Sequence, residues 1–317
     1  MGRAVNKLSL SEILHKELHV RPEENKPLGS LSTLGVGGWA ECFVEPQDLK
    51  DCQRVFELRS RWGFPIWILG GGSNVVFADG SVAGVVLSTR RLDRSWWPPY
   101  EDVEKAGVIA ELQSGCLLSL VVERAAREGL GGMEFALGIP GTIGGALAGN
   151  AGTGGRSIGD LLEEVTSIEE DGSLRRWLRG EFSYAYRRLS LADGVRFLAS
   201  CKLHFLPVPY REIEHELKRF RELRSPQPRG VRSAGCTFKN PPGDSAGRIL
   251  DECGCKGMRV GGAVVSSHHA NFILNEGNAS GSDVLELARR CRDKVYRAKS
   301  VLLLPEIKFL GFGEGVF

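Results

Sequence analysis

The chain has 317 residues, 42% hydrophobic and 25% charged, which are globular proportions and enough for two or three domains. Its 41 basic and 39 acidic residues leave a net charge of +2, no electrostatic footprint for nucleic acid, and no stretch approaches the ~20 apolar residues of a membrane span. The eight cysteines are scattered, the closest pair being Cys253 and Cys255 with no His at a zinc-finger offset, so neither a metal site nor a disulfide framework is expected.

The N-terminal stretch Met1–Val20 lacks the apolar run of a signal peptide, which points to a cytoplasmic protein. Within it, Leu8–His19 is predicted as a short helix with Leu8, Ile13, Leu14 and Leu18 on one side. Pro22–Ser30 reads as a polar linker. A turn at Thr33 leads into a strand at Ala40–Val44, followed by a helix over Asp48–Trp62 with Asp48 as its N-cap. Strands are predicted at Pro65–Leu69 and Val82–Ser88, so the first part reads as an α/β layer. Asp93–Val108, with Trp96, Trp97, Pro98 and Pro99, is irregular and reads as a surface hairpin or a disordered tip. Leu117–Glu128 is helical. Val165–Glu169, Leu174–Leu178 and Arg196–Phe205 are strands, and Pro207 and Pro209 mark a boundary. Glu212–Arg224 is a basic amphipathic helix and Pro226–Asn240 a loop. Helices at Ala246–Cys253 and Ser282–Lys299 flank a strand at Asn271–Leu274, and Leu302–Leu310 closes as a strand.

Glycine is over-represented, at 41 residues or about 13% against a usual ~7%. Seven of these glycines lie in two segments. Leu69-Gly70-Gly71-Gly72-Ser73-Asn74 follows a strand directly. Three glycines expose backbone N–H groups without a Cβ in the way, and Ser73 and Asn74 add donors, a combination suited to a diphosphate. Taken alone, the triplet is equally a tight structural turn. It is neither a Walker A loop nor a G-x-G-x-x-G fingerprint. The second segment is Gly138-Ile139-Pro140-Gly141-Thr142-Ile143-Gly144-Gly145, followed by Asn150-Ala151-Gly152. Two such segments beside apolar strands favour a large diphosphate-bearing cofactor.

Together with Thr33–Gly38, these segments resemble the FAD-binding pattern of the UDP-N-acetylenolpyruvoylglucosamine reductases. The resemblance continues through Tyr186-Arg187, Ala234–Pro241, Gly257–Asn275 and Pro305-Glu306, covering about Thr33 to Leu310. It implies a mixed α+β and α/β fold: a two-part FAD-binding domain of the vanillyl-alcohol-oxidase-like (PCMH) type and a separate α+β substrate-binding domain. The expected divisions are 1–90 and 91–208 for the FAD-binding parts, 209–300 for the substrate domain, and 301–317 returning to the active site. FAD would be held by Leu69, Gly70, Gly71, Gly72, Ser73, Asn74, Ile139, Pro140, Gly141, Thr142, Gly144, Gly145 and Asn150.

The resemblance further implies that NADPH is the hydride donor and that the enolpyruvyl group of a UDP-linked sugar is reduced, in peptidoglycan precursor synthesis. Arg187 would stabilise the enolate with Glu306, and Cys236 would donate the proton. Tyr186, Arg221, Arg224, Asn240 and His269 would contact substrate. No nucleic-acid or membrane partner is expected, and the enzyme would act as a monomer. The sequence departs from the family pattern at Cys236, where Ser is usual, at Leu189, where Ser is frequent, and at Arg224, where Lys is common. No Tyr-bearing insertion separates Phe205 from Glu212, which places the chain in the shorter subclass. Residue by residue, blander readings stay open: Arg187 as a solvated surface arginine, Cys236 as a small buried hydrophobe, His268 and His269 as satisfied polar residues. Two other functions also stay open, a sugar or alcohol oxidase with tethered flavin and a non-catalytic nucleotide-binding protein.

Overall fold

The computed structural model describes residues 9–99, 107–192, 195–228, 230–313 and 315–317. Leu8 of the expected first helix and residues 100–106 of the Asp93–Val108 segment lie outside them.

The first part is built on a four-stranded sheet in the order Glu23–Pro27, Trp39–Val44, Ser81–Ser88, Ile66–Leu69. Its outer pair at Glu23–Pro27 is antiparallel and the other pairings are parallel. Helix α1 (Leu10–Glu17) carries a capping box between Ser9 and Glu12. In α2 (Leu49–Trp62) the Asp48 side chain accepts from the Asp51 N–H, as its position before an apolar-periodic run demands, and Gly63 closes the helix at φ 75°. One face of α2 buries Cys52, Val55, Phe56 and Leu58. That core also contains Ile168, Phe197 and Ala199 from the second part, so the two parts share apolar packing.

The second part is an antiparallel sheet in the order Leu174–Leu178, Leu162–Glu169, Val195–Pro207, Val108–Gln113, Ser95–Trp96. Helices α3 (Leu118–Arg127) and α4 (Ile143–Ala148) pack on it. The strand Val195–Pro207 passes into α5 (Tyr210–Leu223) without an insertion. Phe220 of α5 is fully buried in this second core.

The third part is a four-stranded antiparallel sheet, Ser233–Cys236, Phe272–Asn275, Ala263–Val265, Arg259–Val260, with α6 (Ala246–Glu252) and α7 (Gly281–Lys299). Its core takes in Leu34, Val36 and Val76 from the first part. The chain then returns: Lys308–Leu310 pairs in parallel with Val75–Phe77, directly after the first glycine segment.

Four expectations are corrected. Pro22–Ser30 is no linker, since Glu23–Pro27 is an edge strand. It buries almost nothing, so it carries no apolar alternation to read. The described part of Asp93–Val108 forms an antiparallel hairpin arm, but one built into the second sheet and partly buried rather than lying wholly at the surface. Ser95 and Trp96 pair with Leu112 and Glu111, and Trp97 is buried, its ring 5.1 Å from Phe205 with the Arg124 guanidinium 4.8 Å above it. Pro226–Asn240 contains the strand Ser233–Cys236, whose glycine and small residues hide its period. Leu302–Leu310 is a strand only over Lys308–Leu310. Upstream, Leu302 and Leu304 are exposed, and the segment makes an isolated bridge from Pro305 to Phe238.

Candidate active site

The two glycine segments touch. A Cβ on Gly71 would lie 2.7 Å from the Gly141 Cα, and one on Gly70 2.7 Å from the Thr142 Oγ1. The Ser73 hydroxyl donates to the Pro140 carbonyl at 3.1 Å. Gly72 has φ 71°, and a Cβ there would meet the Leu31 carbonyl oxygen at 2.0 Å. The glycines therefore allow close approach of backbone to backbone, and they also leave a row of donors. Among the described residues, none of the N–H groups of Gly70, Gly71, Gly72, Ser73 and Asn74 has a protein acceptor. Neither segment contains a carboxylate.

In the second segment Leu118 N–H donates to the Gly141 carbonyl, Gly144 presses on Ser114, Ile139 packs on the second core, and Pro140 and Gly145 are exposed. Beside these glycines lie three buried hydroxyls without a hydrogen-bond partner, those of Thr89, Ser114 and Thr142. Orphaned buried hydroxyls and unpaired successive amides are what a polar, anionic group would complete, so the cradle fits the diphosphate of FAD. Leu69 is buried at the strand end, its carbonyl accepting from Thr89 N–H at 2.9 Å. Asn150 turns inward: its Nδ2 donates to the Ala185 carbonyl at 2.8 Å and its Oδ1 accepts from Gly159 N–H at 3.0 Å.

Ala185 starts the turn that presents Arg187. The strands Ser183–Ala185 and Arg188–Ser190 form a hairpin whose two-residue tip is Tyr186-Arg187, with Arg187 at φ 55°, a left-handed conformation uncommon outside glycine. The Arg187 Nη1 donates to the Gly152 carbonyl at 3.1 Å, and its Nε pairs with the Glu306 carboxylate. The two are 119 residues apart in sequence and only 23% and 17% exposed.

Glu306 is held by its backbone. Its N–H donates to the Thr237 carbonyl at 2.8 Å, and its carbonyl accepts from Asn74 Nδ2 at 3.2 Å. Burial raises its carboxyl above the usual range, although Arg187, Lys239 and Lys308 pull the other way. The partly buried Cys236 thiol is pushed up to about 12, first by burial, then by Glu306, against the opposing pull of Arg187 and Arg224. Such a thiol stays protonated.

The segment Thr237–Lys239 is gripped on both sides. On one side Glu306 N–H donates to Thr237, and Lys239 N–H donates to Leu304 at 2.9 Å. On the other, Asn271 takes the Thr237 and Phe238 amides and donates to Phe238.

Of the expected substrate residues, Tyr186 is exposed, and its hydroxyl accepts from Asn240 N–H at 3.2 Å. Asn240 Oδ1 accepts from Ala246 N–H at the start of α6. Arg224 ends α5 and donates to the Gly138 carbonyl at 2.9 Å, joining the basic helix to the second glycine segment. Arg221 is exposed one turn earlier. His269 is not brought to the Arg187–Glu306 pair. Its ring packs on Phe272 and against Gly247, burial lowers its pKa, and its electrostatic neighbours are Lys256 and Asp251. The motif reading missed Asn271 as a clamp and Lys239 as a cation facing Glu306.

The chain is similar to known proteins along nearly its whole length. A family model described as the FAD binding domain matches residues 40–177. One described as the C-terminal domain of UDP-N-acetylenolpyruvoylglucosamine reductase matches residues 227–310. The UDP-N-acetylenolpyruvoylglucosamine reductase of Carboxydothermus hydrogenoformans is 34% identical over 97% of this chain and 100% of its own length. Reductase 2 of Symbiobacterium thermophilum is 38% identical over 90% and 91%. The crystal structure of the reductase from Thermus caldophilus superposes with a TM-score of 0.76 at 34% identity, covering 92% of this chain and 99% of that one. Two glycine segments, a mixed fold in which the C-terminal strand returns to the first of them, and this degree of identity along nearly the whole length establish that the chain belongs to the UDP-N-acetylenolpyruvoylglucosamine reductase family.

Proposed function

We infer that this chain reduces the enolpyruvyl group of UDP-N-acetylglucosamine enolpyruvate to give UDP-N-acetylmuramate, with FAD as cofactor and NADPH as hydride donor, in the supply of peptidoglycan precursors. The observation that carries the reading is the Arg187–Glu306 pair beside a protonated thiol, tied through Asn74 to a row of unpaired amides. Bound FAD supplies the hydride relay between NADPH and the enolpyruvyl group, and Leu69–Asn74 with Ile139–Gly145 are the residues that would hold it. The protein supplies charge and a proton. Arg187, fixed by Gly152 and Glu306, presents a cation where the substrate carboxylate gathers charge as an enolate. Glu306, its carboxyl raised by burial, keeps that cation in place and is a candidate second donor. Cys236 gives its proton to the carbon next to the carboxylate.

Tyr186, Arg221, Arg224 and Asn240 are our candidates for contact with the UDP-sugar, with Arg224 able to grip phosphate with two N–H groups. His269 is the weakest of these candidates because it faces the third core. In this division of labour residues 1–90 and 91–208 hold the cofactor, 209–300 hold substrate, and 301–317 bring Glu306 back. The reading extends to a monomeric cytoplasmic enzyme without nucleic-acid or membrane partners. The near balance of charge supports the first exclusion, and sedimentation tests the monomer. The test of function is spectroscopic: the purified protein should be yellow, bleach anaerobically with NADPH, and recover its colour on addition of the enolpyruvyl UDP-sugar. Bleaching without recovery, or no bleaching, refutes the reading.

A further inference from the structure

Asn271 sits where three segments of the site meet. It is 2% exposed, at the entrance to the strand Phe272–Asn275 of the third sheet. Its carboxamide imitates a strand edge. The Oδ1 accepts from Phe238 N–H at 2.9 Å, the Nδ2 donates to the Phe238 carbonyl at 2.8 Å, and the Asn271 carbonyl accepts from Thr237 N–H at 2.7 Å. Three of the four backbone polar groups of Thr237 and Phe238 are thus satisfied by one residue, and the fourth, the Thr237 carbonyl, by Glu306 N–H. Across the same segment lie the C-terminal contacts, from Glu306 to Thr237 at 2.8 Å, from Lys239 to Leu304 at 2.9 Å, and the bridge from Pro305 to Phe238.

The Thr237–Lys239 segment therefore lies between Asn271 and the extended Leu304–Glu306 segment. Asn271 thus holds the backbone that follows Cys236 on the side opposite Glu306 and the Arg187 paired with it. Cys236 itself is held to this sheet through its pairing with Phe272, the neighbour of Asn271. A side chain without both a donor and an acceptor cannot replace the carboxamide, because it leaves a buried N–H or carbonyl of Phe238 without a partner.

We propose that Asn271 is the positioning residue for the proton donor, setting the Cys236 thiol against the Arg187–Glu306 pair. The proposal rests on the reading of Cys236 as donor and deepens it. Reduction by NADPH does not call on Cys236, whereas reduction of the enolpyruvyl group does, so the two half-reactions separate a positioning role from general damage.

The test uses the FAD-loaded full chain as wild type, Asn271→Ala and Cys236→Ala, with Asn271→Asp, which keeps the acceptor for Phe238 N–H, as the variant to use if the alanine form does not fold. Stopped-flow absorbance follows flavin reduction by NADPH and flavin reoxidation by the enolpyruvyl UDP-sugar. Iodoacetamide labelling at pH 8, mapped to the Cys236 peptide, reports on the thiol without turnover.

The expected result for the Asn271 variant is near-normal reduction by NADPH, reoxidation slowed by roughly 10²-fold, and faster labelling of Cys236 with unchanged labelling of Cys42 and Cys201. Normal reoxidation, equal losses in both half-reactions, or unchanged labelling of Cys236 overturns the positioning role. If Cys236→Ala reoxidises at the wild-type rate, the donor reading itself is overturned. If Cys236→Ala stalls and the Asn271 variant does not, only the positioning role falls.

Discussion

At pH 9 an ordinary thiol is about half ionised, but roughly one Cys236 in a thousand is expected to be, because burial and the Glu306 carboxylate push it up to about 12 from a normal value near 9. The perturbation to apply is pH. From pH 7 to pH 10 the thiol should stay loaded with the proton it is assigned to give. Alkylation needs the thiolate, so iodoacetamide should label the Cys236 peptide at pH 9 several hundred times more slowly than a free thiol of ordinary acidity. The rate should climb tenfold per pH unit without levelling off by pH 11. Reoxidation of reduced enzyme by substrate should be flat over pH 7–10 as far as Cys236 is concerned. Cys236→Ser should retain much of that rate and Cys236→Ala should stall while still being reduced by NADPH. A labelling midpoint near pH 9, or full turnover in Cys236→Ala, would refute the argument that a buried, anion-flanked thiol serves as the standing proton reserve.

Arg187→Ala should slow reoxidation by about 10²–10³-fold while FAD content, read from the ratio of visible to ultraviolet absorbance, stays close to wild type. Equal losses in both would make Arg187 structural. Gly71→Ala places a methyl 2.7 Å from the Gly141 Cα, with backbone on both sides unable to yield cheaply. The expected cost is about 1–3 kcal/mol, seen as a lower melting temperature with loss of bound FAD. Glu306 has its folded pKa raised by burial, so its protonated form contributes stability that is fully present below the ordinary carboxylate value of 4.5 and is lost as pH rises through the folded value. Glu306→Gln mimics the protonated form and should therefore be more stable than wild type at pH 7, the gap closing toward pH 4, while activity falls. A denaturant midpoint lower than wild type at pH 7 would mean that the Arg187 pairing outweighs burial. Ser280→Ala removes the N-cap of α7 and its reciprocal contact with Asp283, and calorimetry should show a loss of about 1 kcal/mol with normal turnover.

What could be read in the sequence follows from where side chains carry a period. Asp48 announces α2 because a cap and an apolar stripe coincide. Leu174–Leu178 is legible as a strand because Trp177 is its buried anchor. Glu23–Pro27 is illegible because an edge strand held by backbone bonds to Trp39–Val44 needs no apolar residue. Trp97 misleads in the opposite direction. Surrounded by Trp96 and two prolines it looks like surface, yet it fills the space between Phe205 and Arg124. The glycine segments were readable as a pair of donor-rich loops, but nothing in sequence said that they touch each other. The Arg187–Glu306 pair was accessible only through the family motif, since no local pattern links residues 119 apart. Asn271 was inside a recognised motif, and its work is invisible there because a carboxamide that replaces a strand edge leaves no spacing signature.

The pairing of Lys308–Leu310 with Val75–Phe77 gives the molecule a timetable. A chain emerging from the ribosome can assemble the first sheet and both glycine segments while more than a hundred residues remain to be made. Val75–Phe77 then waits for its partner until more than two hundred further residues have been synthesised, and Glu306 arrives only with that partner. The two glycine segments can thus come together before Glu306 exists, and a chain halted short of Glu306 would display them with that carboxylate missing. Arrival of Lys308–Leu310 is the step that joins the first glycine segment to Glu306.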